Sequence, residues 1–491
     1  MGKRKRRGWS REGGLVFAVV GLLAVLGGGI YLAVSYLDRD EPSLKLLPET
    51  ACLGAKTNFV LSAVDQGSGL REVEVIFGQN AQEKVIVSQA FPPGGDKGVV
   101  VELPFVLEPR ALGFQEGKAR LVAWARDRSW RHWFQGQRSQ LSREVDLDFV
   151  PMTLSFVAVS HLLHAGGTGC ITYRLNKVPK ESGLQVGECF YTGYANPKGP
   201  QGEYMVLFAL PQEISGPVVV ELKARPAVGE EVRQAVSLKV RPRRWRQDTM
   251  NLSENFLRQV AAGFPVSQPG DLLAAYLEVN RNIRQANHDK IRQVCRQSHP
   301  QPLWSGGFLR YEGKPMARFG DRRTYVWQGR VVDQQIHLGE DLANLIATPV
   351  PAANKGIVVL AEPLGIYGQT VILDHGLGVF SMYSHLSQMD VKVGEMVDKG
   401  KLLGKTGATG LAGGDHLHFS MIIGGDFVDP LEWWDPHWLK DQVEGVWVKG
   451  GVAMAAAGTV IQGEEDKKPA GKRKGHRPGT KTKRQEVGKG R

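Results

Sequence analysis

The chain has 491 residues, with 62 Lys and Arg against 50 Asp and Glu, and four cysteines. The excess basicity sits at the two ends: residues 467–491 hold eleven basic residues and one acidic one, and the first twelve hold six and one. What lies between is near neutral, which excludes a uniformly basic nucleic-acid-binding surface. Cys52, Cys170, Cys189 and Cys295 show no C-x-x-C spacing and give no sign of a nucleophilic thiol. An exported chain can hold disulfides, and Cys170 with Cys189 is the one pair close in sequence within one expected domain.

In chain order, residues 1–12 form a basic segment carrying Lys3, Arg4, Lys5, Arg6, Arg7 and Arg11, followed by an uncharged stretch from Gly13 to Leu37. About 20 apolar residues cross a bilayer as a helix, and preceding positive charge predicts a cytoplasmic N-terminus with the remainder outside. Ala33-Val34-Ser35 would suit a signal peptidase, but the apolar core exceeds the roughly 7–15 residues of a signal peptide. An uncleaved transmembrane helix over 13–37 is therefore the expectation.

Residues 42–150 and 151–242 each read as β-rich units. Glu144-Val145-Asp146-Leu147-Asp148-Phe149 and Val236-Ser237-Leu238-Lys239-Val240 alternate strictly and are closed by Pro151 and Pro242, which marks half-buried strands. The units also open alike, at Pro42-Ser43-Leu44-Lys45-Leu46 and Pro151-Met152-Thr153-Leu154-Ser155-Phe156. Two tandem immunoglobulin-like sandwiches fit these lengths. A spacer role is expected of both, and Trp124, Trp130 and Trp133 are expected to be buried at one edge of the first.

Residues 251–299 read as a helical hairpin. Asn251 with Glu254 forms a capping box, helical spacing runs until Gly263 and Pro265, and Asp271 caps a second helix reaching to Val294. Residues 307–462 hold β-hairpin material with Arg318, Arg322 and Arg323, then the most informative residues of the chain, then strand-like residues from Val443 to Val460. The tail 463–491 has almost nothing to bury and is expected to be disordered, serving either for loose attraction to anionic wall polymers, phospholipid headgroups or nucleic acid or only as a solubilising or non-functional tail.

The informative residues are His337 and Asp341 in IHLGEDLAN, His385 in YSHLS, and His416 and His418 in GDHLHFSMI. Residues i and i+2 of a strand share a face, so His416 and His418 can enter one groove. His337 and Asp341 are expected at a strand end and the turn that follows. Two imidazoles and a carboxylate would leave an open position on a zinc ion, with two further histidines to move protons.

At these residues the chain resembles the LytM/lysostaphin-type zinc metalloendopeptidases, which cut peptide cross-links in bacterial peptidoglycan. The pattern H-x-x-x-D, then Y-x-H-L, then H-x-H occurs in order between Val331 and Pro430. Matching text surrounds it: Ala347-Thr348-Pro349-Val350, Gly368-Gln369-Thr370-Val371 leading to Asp374-His375-Gly376, Val393-Gly394-Glu395, and Gly404-Lys405-Thr406-Gly407 with Thr409-Gly410. The resemblance implies one zinc ion per chain on His337, Asp341 and His418, with His385 and His416 acting on the zinc water and the oxyanion. It also implies an antiparallel β-sheet peptidase domain, so the fold class expected is mostly β. Asp415 stands where the family has proline, Tyr325 and Tyr383 are both candidates for an oxyanion tyrosine, and His375 is expected to be structural.

Together these features predict a single-pass protein of the bacterial cytoplasmic membrane with an extracytoplasmic, periplasmic zinc endopeptidase acting on peptidoglycan. Its expected partners are peptidoglycan and the membrane, with a regulatory protein left open and nucleic acid disfavoured by topology. The competing reading is a non-enzymatic wall protein that activates another hydrolase; the complete ligand and histidine set argues against it. A third is cleavage of a Gly-rich protein.

Overall fold

A computed structural model of the chain describes residues 11–36, 40–93, 98–214 and 216–449. The basic segment up to residue 10 and the C-terminal tail with its expected disorder lie outside the described residues. The fold is mostly β.

A 26-residue helix, Arg11–Tyr36, occupies the uncharged N-terminal stretch. Its described large apolar side chains, from Phe17 to Tyr31, are exposed. Among the described residues no helix is long and apolar enough to cross a membrane, so the anchor expected over 13–37 is carried forward as a proposal.

Two β units follow. In the first, a three-stranded sheet orders Ser43–Leu47, Thr57–Val64 and Val101–Leu107. A five-stranded sheet orders Cys52–Leu53, Arg138–Leu147, Gly117–Asp127, Leu70–Gln79 and Gln82–Ala90. Inward residues of alternating strands, among them Phe59, Leu61, Val73, Val75, Phe77 and Leu121, fill a core made only of this unit. The second unit has a five-stranded and a four-stranded sheet, the latter ordering Tyr194–Ala195, Glu203–Ala209, Thr168–Leu175 and Leu154–Val159. Cys170 is buried and Cys189 exposed, both as free thiols; the bridge considered between them is not formed.

The peptidase-like region is built on an antiparallel sheet. Its central strands are Glu340–Ala343, Leu417–Ile423, Val379–Leu386, Gln369–Gly376 and Gly356–Pro363, in that order. Alternation sorts their side chains to two faces. Val371, Leu373, Val379, Tyr383, Met421 and Ile423 join a cluster that runs on into the second β unit. Ile372, Phe380, Met382 and Ile422 join another, with Leu257, Val260, Tyr276 and Ile291 of the helical segment.

That helical segment consists of Glu254–Gly263 and Leu272–Leu277, continued through a wider turn at Glu278–Ile283 into Arg284–Val294. Asp271 caps as expected, accepting from Leu273 and Ala274 N–H. The first helix is capped by Ser253, which accepts from Phe256 N–H at 3.2 Å. Asn251 ends a strand, Gln247–Asn251, paired with Arg322–Trp327, so the capping box read at Asn251 is misplaced by two residues.

Beyond Pro430 the expected strand is also corrected. The chain runs as short helical pieces, Pro430–Trp434, Pro436–Trp438, Leu439–Glu444 and Gly445–Lys449, and the remainder of that expectation lies outside the described residues. β-branched residues here mislead because helical spacing lays Leu439, Val443 and Val446 on the shared core beside Trp433, Trp438 and Trp447. Polar ties fasten the same segment to the second unit: Trp433 Nε1–H to Thr168 Oγ1 at 3.1 Å, Thr168 N–H to Glu432 at 2.7 Å, and Ser160 Oγ–H to the Gln442 carbonyl at 2.7 Å.

Candidate metal centre and groove

His337 follows the strand Arg330–Ile336, whereas Asp341 lies within Glu340–Ala343 and not in a turn. Strand pairing sets Asp341 directly opposite His418. Gly339, between the two, is dictated by crowding: a Cβ there would lie 2.6 Å from the Phe419 carbonyl and 2.7 Å from His418 Nε2.

The hydrogen bonds fix which ring atoms face one another. His337 Nδ1 meets the Arg318 carbonyl at 3.0 Å and must donate to it. Its Nε2 therefore carries a lone pair in the neutral ring. Ser420 spends its hydroxyl proton on the Leu338 carbonyl at 2.8 Å, so His418 Nε2, 3.0 Å from Ser420 Oγ, is the donor there, and His418 Nδ1 carries the lone pair. Both lone pairs converge on Asp341 Oδ1, at 3.0 Å from His337 and 2.8 Å from His418, with the two nitrogens 3.1 Å apart. Three acceptors pointed at one spot are reconciled by a positive charge, either a metal ion or a proton on an imidazole. The three donor atoms lie within 4.8 Å of one another, and the set of nitrogen and carboxylate ligands suits a divalent transition metal. The outer atoms of every ligand are held as well, Asp341 Oδ2 by Arg323 at 3.1 Å, the kind of support that orients metal ligands.

His385 and His416 stand beside this cluster, their ring centroids 4.8 Å apart and His385 5.7 Å from His418. Each donates Nδ1–H to a carbonyl at 2.8 Å, of Thr409 and Gly414 respectively, which turns Nε2 toward the groove. His385 would face the opposite side of the sheet by strict alternation. A positive φ of 60° breaks the alternation and brings its ring to the groove.

Electrostatics differ across the set. Burial would raise the Asp341 carboxyl, but the charge and hydrogen bond of His337, with bonds from His416 and His418, hold it well below the usual carboxylate range. Burial pushes His385 down to about 3 and His418 to about 4, helped by neighbouring imidazoles. For His416 burial also opposes charge, yet the bond to Asp341 and its negative charge outweigh it and raise the imidazole.

All five residues line one cavity of about 360 Å³. Its other wall comes from outside the sheet: Met250, Asn251, Phe256, Tyr276 and Arg284, with Arg323 and Tyr325 beside them. Of the two tyrosines considered, Tyr325 lies on this groove, while Tyr383 is buried and accepts the Ala353 N–H at 2.7 Å. His375 is buried between the Lys355 carbonyl and Ser381. Asp415 accepts the Ala347 N–H at 3.2 Å, a loop tie. Arg323 is spent on Asp341. Tyr367, which lines the cavity beside His418, Ser420 and Arg284 were not anticipated; the first two lie between Val331 and Pro430 but outside the H-x-x-x-D, Y-x-H-L and H-x-H positions, and Arg284 sits on a helix with no distinguishing pattern.

Residues 335–430 match Peptidase family M23. The chain is similar to peptidoglycan DD-endopeptidase ShyA of Vibrio cholerae, 29% identical over 163 residues that make up 33% of this chain and 35% of that protein. It is also similar to DD-carboxypeptidase/endopeptidase Mpg of Neisseria meningitidis, 36% identical over 97 residues, 20% of this chain and 22% of that protein. Among solved structures, the catalytic domain of the antimicrobial peptidase lysostaphin from Staphylococcus simulans is 29% identical, covering 25% of this chain and 92% of that one at a TM-score of 0.22. The matched stretch spans about a third or less of these curated relatives. With its His-Asp-His cluster and ordered motifs, the stretch 335–430 is a LytM-type domain of Peptidase family M23.

Proposed function

We propose that the chain is a membrane-anchored, extracytoplasmic zinc endopeptidase that hydrolyses peptide cross-links or stem peptides of bacterial peptidoglycan. The observation that carries the reading is the convergence of His337 Nε2, Asp341 Oδ1 and His418 Nδ1 in a groove that also holds two further histidines. Those three residues would hold the ion. Zinc, when bound, supplies a Lewis acid for the scissile carbonyl and acidifies a water toward neutrality.

The chain's own residues divide the remaining work. His385, neutral and fixed through Nδ1–H, offers Nε2 as proton acceptor and later as donor. His416, biased toward its charged form by Asp341, is suited to meet the oxygen that gains negative charge. Arg284 on the helical wall, braced by Asn280 through Nε–H and Nη2–H, presents its positive charge to a carboxylate of a stem peptide. The names of the similar proteins, which describe peptidoglycan endopeptidases, support the substrate class.

The anchor rests on the uncharged run from Gly13 to Leu37, the basic residues before it and the exposed apolar side chains of the N-terminal helix; a span drawn from the described residues alone falls short. The test is metal content and release of fragments from purified peptidoglycan by the full chain, beside a His337→Ala, His418→Ala double variant. One zinc per chain and variant-sensitive release are expected. A folded wild type that binds no zinc and releases nothing would overturn the reading.

A further inference from the structure

Exposed aromatic side chains gather at one place on the first β unit. Trp133 is 92% exposed, Phe134 66% and Trp130 37%, contrary to the burial expected of these tryptophans; Trp124 nearby is half-buried beneath Arg138, whose guanidinium carbon lies 4.3 Å from the ring centre. The exposure is built in. His132, Trp133 and Phe134 have successive positive φ values of 49°, 57° and 66°, a conformation that side chains with a Cβ disfavour. The loop is held from below by buried Asp127, whose Oδ1 accepts from Ser129 N–H, Ser129 Oγ–H and Gln137 N–H. Gly136, at φ 83°, closes it where any Cβ would collide with the Asp127 carbonyl.

A second observation says what the loop faces. Trp130 N–H donates to the Tyr36 carbonyl at 2.7 Å, and the two rings stack at 5.3 Å; Phe134 packs edge-on against Trp130 at 5.9 Å. Tyr36 is the last residue of the N-terminal helix, the element with the exposed apolar side chains. The aromatic loop thus packs on the C-terminal end of that helix. Arg128 and Arg131 stand in or next to it in sequence, Arg128 bonded to the Phe91 carbonyl, and Arg126 and Arg138 lie over the Trp124 ring. Aromatic rings with a polar edge, interleaved with arginines, are the composition that settles at the headgroup level of a bilayer.

We propose that the loop Trp130–Phe134 inserts its aromatic rings into the headgroup region of the phospholipid bilayer, giving the first β unit a second membrane contact. The inference rests on the membrane-anchored part of the proposed function and is independent of the peptidase chemistry. Its consequence is orientation: one helix fixes a point of attachment, whereas a helix end plus an aromatic loop fixes the tilt of the unit.

The test uses the full chain with Cys52→Ser and Cys189→Ser, which leaves only buried Cys170 and Cys295, and with Trp133→Cys carrying an environment-sensitive fluorophore. The exposure of position 133 keeps the label clear of the core. In vesicles of phosphatidylethanolamine and phosphatidylglycerol, a blue shift, a severalfold rise in emission and quenching by lipids brominated along the acyl chain are expected. A companion label through Leu22→Cys reports the helix. Quenching at 22 with none at 133 would overturn the loop contact and leave the anchor standing; quenching at neither would overturn both. A label at 133 that responds to purified peptidoglycan and not to vesicles would make the loop a wall-binding platform and overturn the lipid assignment.

Discussion

The two β units look interchangeable in sequence, yet they differ in whose core they complete. The first closes on itself, with Phe59, Val75, Phe77 and Leu121 facing only residues of its own sheets. The second does not: Cys170, Tyr173 and Phe208 belong to one apolar cluster with Tyr383, Phe419, Trp433 and Trp447 of the peptidase region. Similar strands therefore close a core of their own in one case and supply half of the foundation of the LytM-type domain in the other. Period-two patterning records that a face is buried and says nothing about which chain segment buries it.

The sharpest way to break this distinction is a pair of cavities. Trp433→Ala is expected to cost about 3–5 kcal/mol, and to unfold the second unit and the peptidase in one transition with loss of hydrolysis. Phe59→Ala, of similar cost, should lower a separate transition and leave turnover unchanged. Urea unfolding followed by both fluorescence and activity separates the cases; a single shared transition for Phe59→Ala would erase the difference between the units.

A pH comparison comes next. Burial pushes the Glu432 carboxyl, at the junction with Thr168, up to about 8, against an ordinary value of about 4.5. The folded state then holds the proton more tightly than the unfolded chain. Stability from this group is full below about pH 4.5 and declines as pH rises toward 8. Glu432→Gln mimics the protonated form and should gain on the wild type by an amount on the order of 3 kcal/mol between pH 5 and 8.5. Glu340, raised to about 7 by burial, is common to both proteins, so the difference isolates Glu432. Equal urea midpoints at both pH values would show the junction to be wet.

Smaller effects grade the same contrast. Thr168→Val leaves the buried Trp433 Nε1–H without its acceptor, which is expected to cost about 1–3 kcal/mol in the shared transition. Lys177→Ala removes the 2.7 Å pair with Asp148 that links the first unit to the second. Because that pair is partly exposed, a change of about 1 kcal/mol or less is expected, and a larger one would mean the units are more tightly joined than their separate cores imply.

The centre was legible because its residues are chemically distinctive and stand in fixed order: His337, Asp341, His385, His416 and His418 all reach one groove. Less legible was how they reach it. The pairing of Asp341 with His418 is a register between strands 77 positions apart, and the turn of His385 depends on one backbone angle that alternation cannot forecast. The groove's second wall was invisible for another reason. Phe256, Tyr276 and Arg284 lie on three different helical pieces, and a helical pattern specifies which face is apolar but not what that face will meet. After Pro430 the expectation failed because Val443 to Val448 suit a strand locally, and the tryptophan-rich cluster overrides that preference.

The tie between Thr168 and Trp433 joins residues 265 positions apart. At a synthesis rate of about 5–20 residues per second, Trp433 emerges roughly 13–50 s after its partner. During that interval the second unit has sheets to form but no lid for the face that Trp433, Trp438 and Trp447 will cover. The nascent chain thus carries an unfinished apolar surface until those tryptophans emerge, so how long it stays open is set by the order of its segments as well as by their stability.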